Sequence, residues 1–292
     1  FQKGVRTAIC AEKKMEKEYD VLVVGPVSLD HNIDYLGNER SEVGGAVVAS
    51  GWAAAGSGAK AAIFCKLNPE EADVNERFEG IKADLYWKPS EHTCTSLGKC
   101  DPFRFDEMAD IKTKMYHFAG LVYGDFDGEL IRESAKHGKV AVDVQCMLRH
   151  VEPDKTMAFH DWADKKEILP LIDYLKTDAA EAEILTGTND RVKAAHMLHE
   201  WGAKEVMISH NTELLVYDGE KIYTCPLKAR NLSGRTGRGD TAFAGYINER
   251  QHASVEEALL WATALVSLKM ETPGPFRGCR EDVVAYINEF YK

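Results

Sequence analysis

Residues 231–246 read NLSGRTGRGDTAFAGY, a glycine-rich loop that runs without a break into an apolar helix. Gly237 and Gly239 leave the main chain free to turn, so the amides of residues 237 to 240 can face one point at the mouth of that helix, where the helix dipole adds to them. Such a point holds an anion. Asp240 sits where a phosphate would bind, and a carboxylate beside a phosphate cradle repels its ligand unless it has another task, such as taking a proton from an attacking hydroxyl. An ordinary N-cap aspartate on a helix entered through glycines is the alternative, and spacing alone leaves the two open.

Outward from this loop, strand and helix take turns. On the N-terminal side the pattern predicts a strand at 20–25, apolar and closed by Gly-Pro, then a small-residue helix at 44–60 and a strand at 61–66. Further strands are predicted at 115–118, 140–144 and 205–209, with helices at 127–137, 165–174, 179–185 and 190–201. A hairpin of 213–217 and 221–225 turns on Asp218-Gly219, and helices follow at 239–250, 254–271 and 280–290. Regular alternation implies parallel strands joined by right-handed crossovers. The acidic stretch 68–80 is expected to be helical, while 85–105 and 32–43 are expected to form a small sheet over the site. No repeat, low-complexity tract or Pro/Gly-rich linker divides the chain, so the expectation is one α/β domain over 19–292 with a β lid, its pieces at about 32–43 and 85–105. Residues 1–18 carry scattered charge and no apolar h-region, and are read as a leader or tag remnant.

Composition narrows the function. Hydrophobic residues make up 45% and charged residues 28%, close to globular averages, and no run of about 18 apolar residues exists to cross a bilayer. The net charge of -11, without a long basic block, argues against extended nucleic acid as a partner. It leaves a small phosphorylated ligand open, because helix-terminus amides act over a few ångströms. Seven scattered cysteines in a chain this long point to reduced thiols and a cytoplasmic setting. Cys94, Cys100 and His92 have no second ligand pair at zinc spacing, so free thiols are expected there too.

GRGDTAFAG resembles the C-terminal signature of the PfkB, or ribokinase, family, in which a Gly-Ala-Gly-Asp quartet precedes Thr or Ser, Phe and a small residue. The resemblance implies a ribokinase-like three-layer sandwich with a central, mostly parallel sheet and a small β lid. It also implies ATP-dependent phosphorylation of a hydroxyl on a small sugar, polyol or nucleoside. On this chain the family's catalytic base falls on Asp240 and its anion hole on Gly237, Arg238 and Gly239. Arg238 replaces the usual Ala and is expected to add a charge contact to phosphate. The Asp that often opens the motif is Gly234, which puts the family's monovalent-cation site in doubt.

Other segments extend the likeness. VVGPVSLDH is similar to the family's opening, making Asp30 the substrate anchor, and Gly44 and Gly45 match the Gly-Gly pair beside the sugar. Ala49 stands where ribokinases have Asn, which argues against ribose itself. LKTDAAEAEILTG is similar to the Asn-x-x-Glu segment, which assigns Glu181 to magnesium and its water, with Asp178 in place of Asn. An exposed carboxylate-rich helix face is the alternative there. DVQCMLR resembles inositol-kinase-like and nucleoside-kinase-like members and offers Gln145 and Arg149 as substrate contacts, or a strand end followed by a basic loop residue. Adenine is expected against the helix around Ala258 and Ala262. Two departures stand out: ISHNTE (208–213) lacks the family's nucleotide-binding glycines, and its Gly-x-Asp-x-x-Gly is absent around Leu67. The family often pairs lids, so a homodimer is a further expectation.

Other short patterns fit their contexts poorly. GSGAKA (56–61) has dinucleotide spacing but ends a helix and precedes a strand, and GSGAK lacks the Gly-Lys-Ser/Thr ending of a P-loop. GDFDG (124–128) reads as a turn and helix cap, and Arg238-Gly239-Asp240 as an adhesion tripeptide lacks any sign of secretion. The rival from another functional class is a non-catalytic ligand-binding or regulatory member of the same fold.

Overall fold

A computed structural model describes residues 17–33, 39–95 and 98–292. The leader reading of 1–18 and lid residues 34–38 and 96–97 fall outside them, apart from residues 17 and 18. The first strand, β1 (Val21–Pro26), is buried at every position, as a strand between two parallel neighbours must be. A hairpin follows, β2 (Ser28–Ile33) and β3 (Glu39–Gly44), which delivers the chain to α1 (Ala46–Gly56). Then come β4 (Ala61–Leu67), β5 (Ala83–Pro89), β6 (Met115–Phe118), α2 (Gly128–Ser134) and β7 (Lys139–Asp143). A single turn, α3 (Gln145–Leu148), leads into a second small hairpin, β8 (Arg149–Val151) and β9 (Met157–Phe159). The chain continues through α4 (Lys165–Ile168), β10 (Tyr174–Asp178), α5 (Ala179–Thr186), α6 (Arg191–Glu200) and β11 (Glu205–Ser209). It closes with β12 (Glu213–Tyr217), β13 (Ile222–Pro226), α7 (Arg238–Glu249), α8 (Val255–Met270) and α9 (Arg280–Phe290).

Among the described residues nine strands form one sheet in the order β13-β12-β11-β10-β7-β6-β1-β4-β5. The seven from β11 to β5 are parallel, β12 runs against them beside β11, and β13 turns back antiparallel to β12. Side chains alternate between faces, so β1 sends Val21 and Val23 into a core shared with α1, α7 and α8, and Leu22 and Val24 into one shared with α2 and α6. The result is the three-layer α/β arrangement expected from the ribokinase likeness. Chain order reverses beside β1, where β4 and β5 lie on one side and β6, β7, β10 and β11 on the other. In open parallel sheets a crevice forms at the carboxyl ends of the strands near such a reversal.

Four expectations need correcting. Residues 68–80 are turns: the side chains of Asn68 and Asp73 accept the amides two residues on, from Glu70 and Asn75, and so compete with a helix. Residues 83–89 form β5, a parallel edge strand of the main sheet, although 85–105 was expected outside it. The helix expected at 165–174 is a single turn followed by a 3-10 turn at Leu169–Leu171, because Pro170 stops it. The chain then forms β10, which the sequence reading did not anticipate. Among the described residues the small sheet expected from 32–43 and 85–105 pairs β2 with β3, and Leu29 N–H ties it to residue 94 by donating to Cys94 O at 2.9 Å. The six described cysteines are free. Among the described residues no helix is long and apolar enough to cross a membrane.

Candidate active site

A polar cleft of about 270 Å³ opens where β7, β10 and β11 end, lined by Gln145, Lys176, Asp178, Ser209, Arg235, Gly237, Arg238, Gly239 and Asp240. Gly237, at φ +74°, is the left-handed N-cap of α7. A Cβ there would approach the Ala49 Cβ to 3.0 Å, so the glycine lets the loop rest against α1. At Gly239 a Cβ would come within 3.0 Å of Lys176 Nζ. The amides of Gly239 and Asp240 lie in the first turn of α7, where a helix offers them no acceptor of its own. One expected member of the cradle is committed elsewhere. The Arg238 amide donates to Arg235 O at 3.2 Å within the turn, so what this residue offers the cleft is its guanidinium.

Beneath the cleft lies a cluster of buried charge. Lys176, on β10, donates from Nζ to Asp143 Oδ2 at 2.8 Å, and both side chains are almost fully enclosed. Burial works against the Lys176 charge, but Asp143, Glu181 and Asp240 outweigh it and hold the ammonium on. Asp240 responds the other way: burial and then the negative Asp143 push its carboxyl up to about 6, with Lys176 opposing. His117 on β6 stays neutral below, driven to about 3 by burial and the Lys176 charge. A carboxyl poised near neutrality, facing a cleft beside first-turn amides, has the protonation behaviour of a general base.

Two guanidinium groups form the rim. Arg238 Nη1 and Arg235 Nη2 both reach Asn211 Oδ1, at 3.1 and 3.4 Å. Burial and then the neighbouring Arg235 charge make the Arg238 cation less favourable than usual. Paired cations of this kind gain from an anion between them.

The other predicted residues divide between the cleft and its surroundings. Gln145 lines the cleft, its amide accepted by Asp143 Oδ1 at 3.2 Å. Asp30, exposed on β2, lies over Gly44, where a Cβ would fall 2.6 Å from its Oδ2. Gly45, at φ +111°, N-caps α1, and one turn further on Ala49 meets Gly237, so the hairpin and the anion site share a helix turn. Arg149 begins β8, half-buried, with an unpartnered Nε.

Asp178 lines the cleft and N-caps α5 in a reciprocal box. Its Oδ1 accepts the Glu181 amide at 2.8 Å, and Glu181 Oε2 accepts the Asp178 amide at 2.7 Å. Glu181 is therefore buried behind Asp178, its carboxyl raised by burial to about 7. Among the described residues no group of three or more His, Cys, Asp or Glu side chains could cage a metal. Ala258 and Ala262, expected beside adenine, are fully buried in the core that α8 shares with α7. Sequence reasoning also missed Lys176, Asp143 and Arg235. The signal available for Lys176 was a charged residue interrupting a short apolar run.

A family profile and several solved structures resemble this chain. The profile of the pfkB family carbohydrate kinases matches residues 98–281, well over half of the chain. The structure of a pyrophosphate-dependent myo-inositol-1 kinase, converted by mutation into a myo-inositol-3 kinase, superimposes with a TM-score of 0.85 at 30% identity, covering 93% of this chain and 100% of that one. Ribokinase of Arabidopsis thaliana, complexed with ribose and ATP, gives a TM-score of 0.70 at 17% identity over 93% of this chain and 99% of that chain, a likeness of fold. Among curated proteins, the cytidine kinase of Thermococcus kodakarensis is 39% identical over 83 residues, 27% of this chain. The match spans 30% of that protein's length.

Proposed function

The chain belongs to the pfkB family of carbohydrate kinases, and from that premise we propose that it transfers a phosphoryl group to a hydroxyl of a small polyol, sugar or nucleoside, with Asp240 as general base. The observation that carries this reading is the placement of Asp240 at the mouth of α7, in a cleft it shares with Lys176 and two arginines. The acceptor lies against Asp30, Gly44 and Gly45 at the β2–β3 hairpin, with Arg149 and Gln145 as further contacts. Its hydroxyl gives its proton to the Asp240 carboxylate as the oxygen attacks phosphorus. The amides of Gly239 and Asp240, the guanidinium of Arg238 and the Lys176 ammonium face the charge that spreads over the moving phosphoryl group.

Magnesium fits the donor set present, because that ion keeps several waters and needs only one or two carboxylates together with phosphate oxygens. Asp178 would hold it on the cleft wall, with Glu181 acting behind by fixing the Asp178 amide. When bound it supplies charge neutralisation of the phosphates.

For the donor we favour pyrophosphate. Arg235 and Arg238 offer a compact dicationic clamp for a second phosphate, Ala258 and Ala262 offer no surface to adenine, and the 30%-identical neighbour is pyrophosphate-dependent. ATP is the second reading, supported by family membership and by the ribokinase of the same fold complexed with it. The same neighbour makes myo-inositol the first acceptor to try, with cytidine and ribose after it.

The experiment is a phosphoryl-transfer assay by phosphorus NMR, with pyrophosphate or ATP as donor, magnesium present, and these three acceptors. Acceptor-dependent product with pyrophosphate supports the proposal, and product with ATP alone selects the second reading. Ligand binding without product from either donor would instead favour a non-catalytic relative. A homodimer paired through β2–β3 belongs to the same proposal. A light-scattering mass of one 32.6 kDa chain at every concentration would remove it.

A further inference from the structure

The last turn of α8 carries a buried ammonium that the transfer reading does not use. Lys269 is 3% exposed, and its Nζ donates to Gly234 O at 2.6 Å and also to Thr236 O. Both carbonyls belong to the loop that brings Arg235, Gly237 and Asp240 to the cleft. The same loop is stitched to this end of α8 in the other direction. Gly234 N–H donates to Met270 O at 2.7 Å, and Ser233 Oγ donates to Glu271 O at 2.8 Å. The Arg230 amide donates to Glu271 Oε1 at 2.9 Å. Position 234 has no room for a side chain, since a Cβ would fall 1.9 Å from Thr272 O.

A lysine placed against carbonyls instead of a carboxylate keeps its positive charge unneutralised by direct contact. Burial lowers its pKa to about 8, and the charged group opposing that shift is Asp240, from α7. At neutral pH Lys269 is thus still mostly an ammonium, held by carbonyl dipoles. A trans peptide directs its C=O and N–H to opposite sides. Gripping Thr236 O therefore turns the Gly237 N–H to the face away from Lys269, and Gly237 lines the cleft.

We propose that Lys269 is a positioning residue, a tethered cation that orients the Gly234 and Thr236 peptides and so sets the anion site and Asp240 for phosphate. It does not touch the reactants. The kinetic part of this inference rests on the phosphoryl-transfer reading, whereas the phosphate-binding part does not.

The test uses Lys269→Ala, which leaves room for an outside cation, and Lys269→Gln, which keeps N–H donors but loses the charge. Pyrophosphate affinity by calorimetry, and kcat and KM where turnover is present, are measured with and without methylammonium or potassium. Both variants should lose about 100-fold in kcat, the scale of a misplaced reacting group, and should bind pyrophosphate more weakly. Methylammonium or potassium should restore Lys269→Ala and leave the wild type unchanged. Wild-type affinity and turnover in folded Lys269→Gln would overturn the inference, as would a Lys269→Ala defect that neither cation repairs. A wild-type chain that binds pyrophosphate but transfers nothing would sink the functional proposal while the affinity measurements still judged Lys269.

Discussion

Asp240 titrates among charges that oppose one another: burial and Asp143 push it up to about 6, and Lys176 pulls it down. A general base accepts a proton only when it is deprotonated. Turnover should therefore be lost as pH falls through about 6 and reach a plateau above it, which a pH–rate profile reads directly. Asp240→Asn should lower kcat by about 100-fold to 10,000-fold, leave the melting temperature close to wild type, and remove the acid limb from whatever rate persists. An unchanged acid limb in that variant would assign it to another group. Lys176 makes a different prediction, because it neutralises a buried partner. Lys176→Met leaves Asp143 enclosed without its ammonium at 2.8 Å, and losing one member of a buried pair destabilises by about 3–5 kcal/mol. Urea unfolding measures this, and a stability equal to wild type would mean that Asp143 finds water or another donor. The sequence showed Asp240 plainly because glycines flank it, but it did not show Lys176. In YLKTD a lysine looks like a solvent-facing residue, and only the strand's central place in the sheet turns it inward.

At the scale of elements, the entry to α7 depends on Gly237. Its φ of +74° costs an L-residue about 1–2 kcal/mol, and the added Cβ would sit 3.0 Å from that of Ala49. Gly237→Ala should accordingly weaken pyrophosphate binding as the loop lifts off α1. Adding Ala49→Gly should relieve the contact but not the backbone strain, so affinity should recover only in part. Full recovery would place the whole effect in the contact. Other elements were legible to the extent that one local signal governed them. β1, α6, the β12–β13 hairpin and α8 follow from apolar runs, N-caps and an Asp-Gly turn, and lie where the pattern put them. Residues 68–80 have a helix-like acidic composition, yet their Asx side chains bind the backbone first. β5 shows Trp87 and Tyr86 to solvent, so its sequence lacks the signature of a buried strand. Its membership of the sheet rests on pairing with β4, a partner that a local window does not contain.

Across the whole molecule, the proposed reaction would set its two reactants against separate walls. Asp30 rides on a hairpin inserted between β1 and α1, while Arg235 arrives on the β13–α7 loop, and Arg238 and Asp240 in the first turn of α7, just over two hundred residues later in the chain. The two walls meet through the first turn of α1, where Gly45 supports the hairpin side and Ala49 touches Gly237. Because the groups on each wall have different partners, their substitutions should act on different substrates. Asp30→Ala should raise the acceptor KM and leave the donor KM near wild type. Arg235→Ala should raise the donor KM and spare the acceptor, since its guanidinium reaches Asn211 on the donor rim and not the hairpin. Initial rates over a grid of both concentrations separate the two constants. Sites with no shared partners contribute additively, so the double variant should combine the two defects without a new term. A crossed result, with Asp30→Ala weakening the donor as strongly as the acceptor, would mean that the α1 turn transmits strain between the walls and that the hairpin helps shape the anion site.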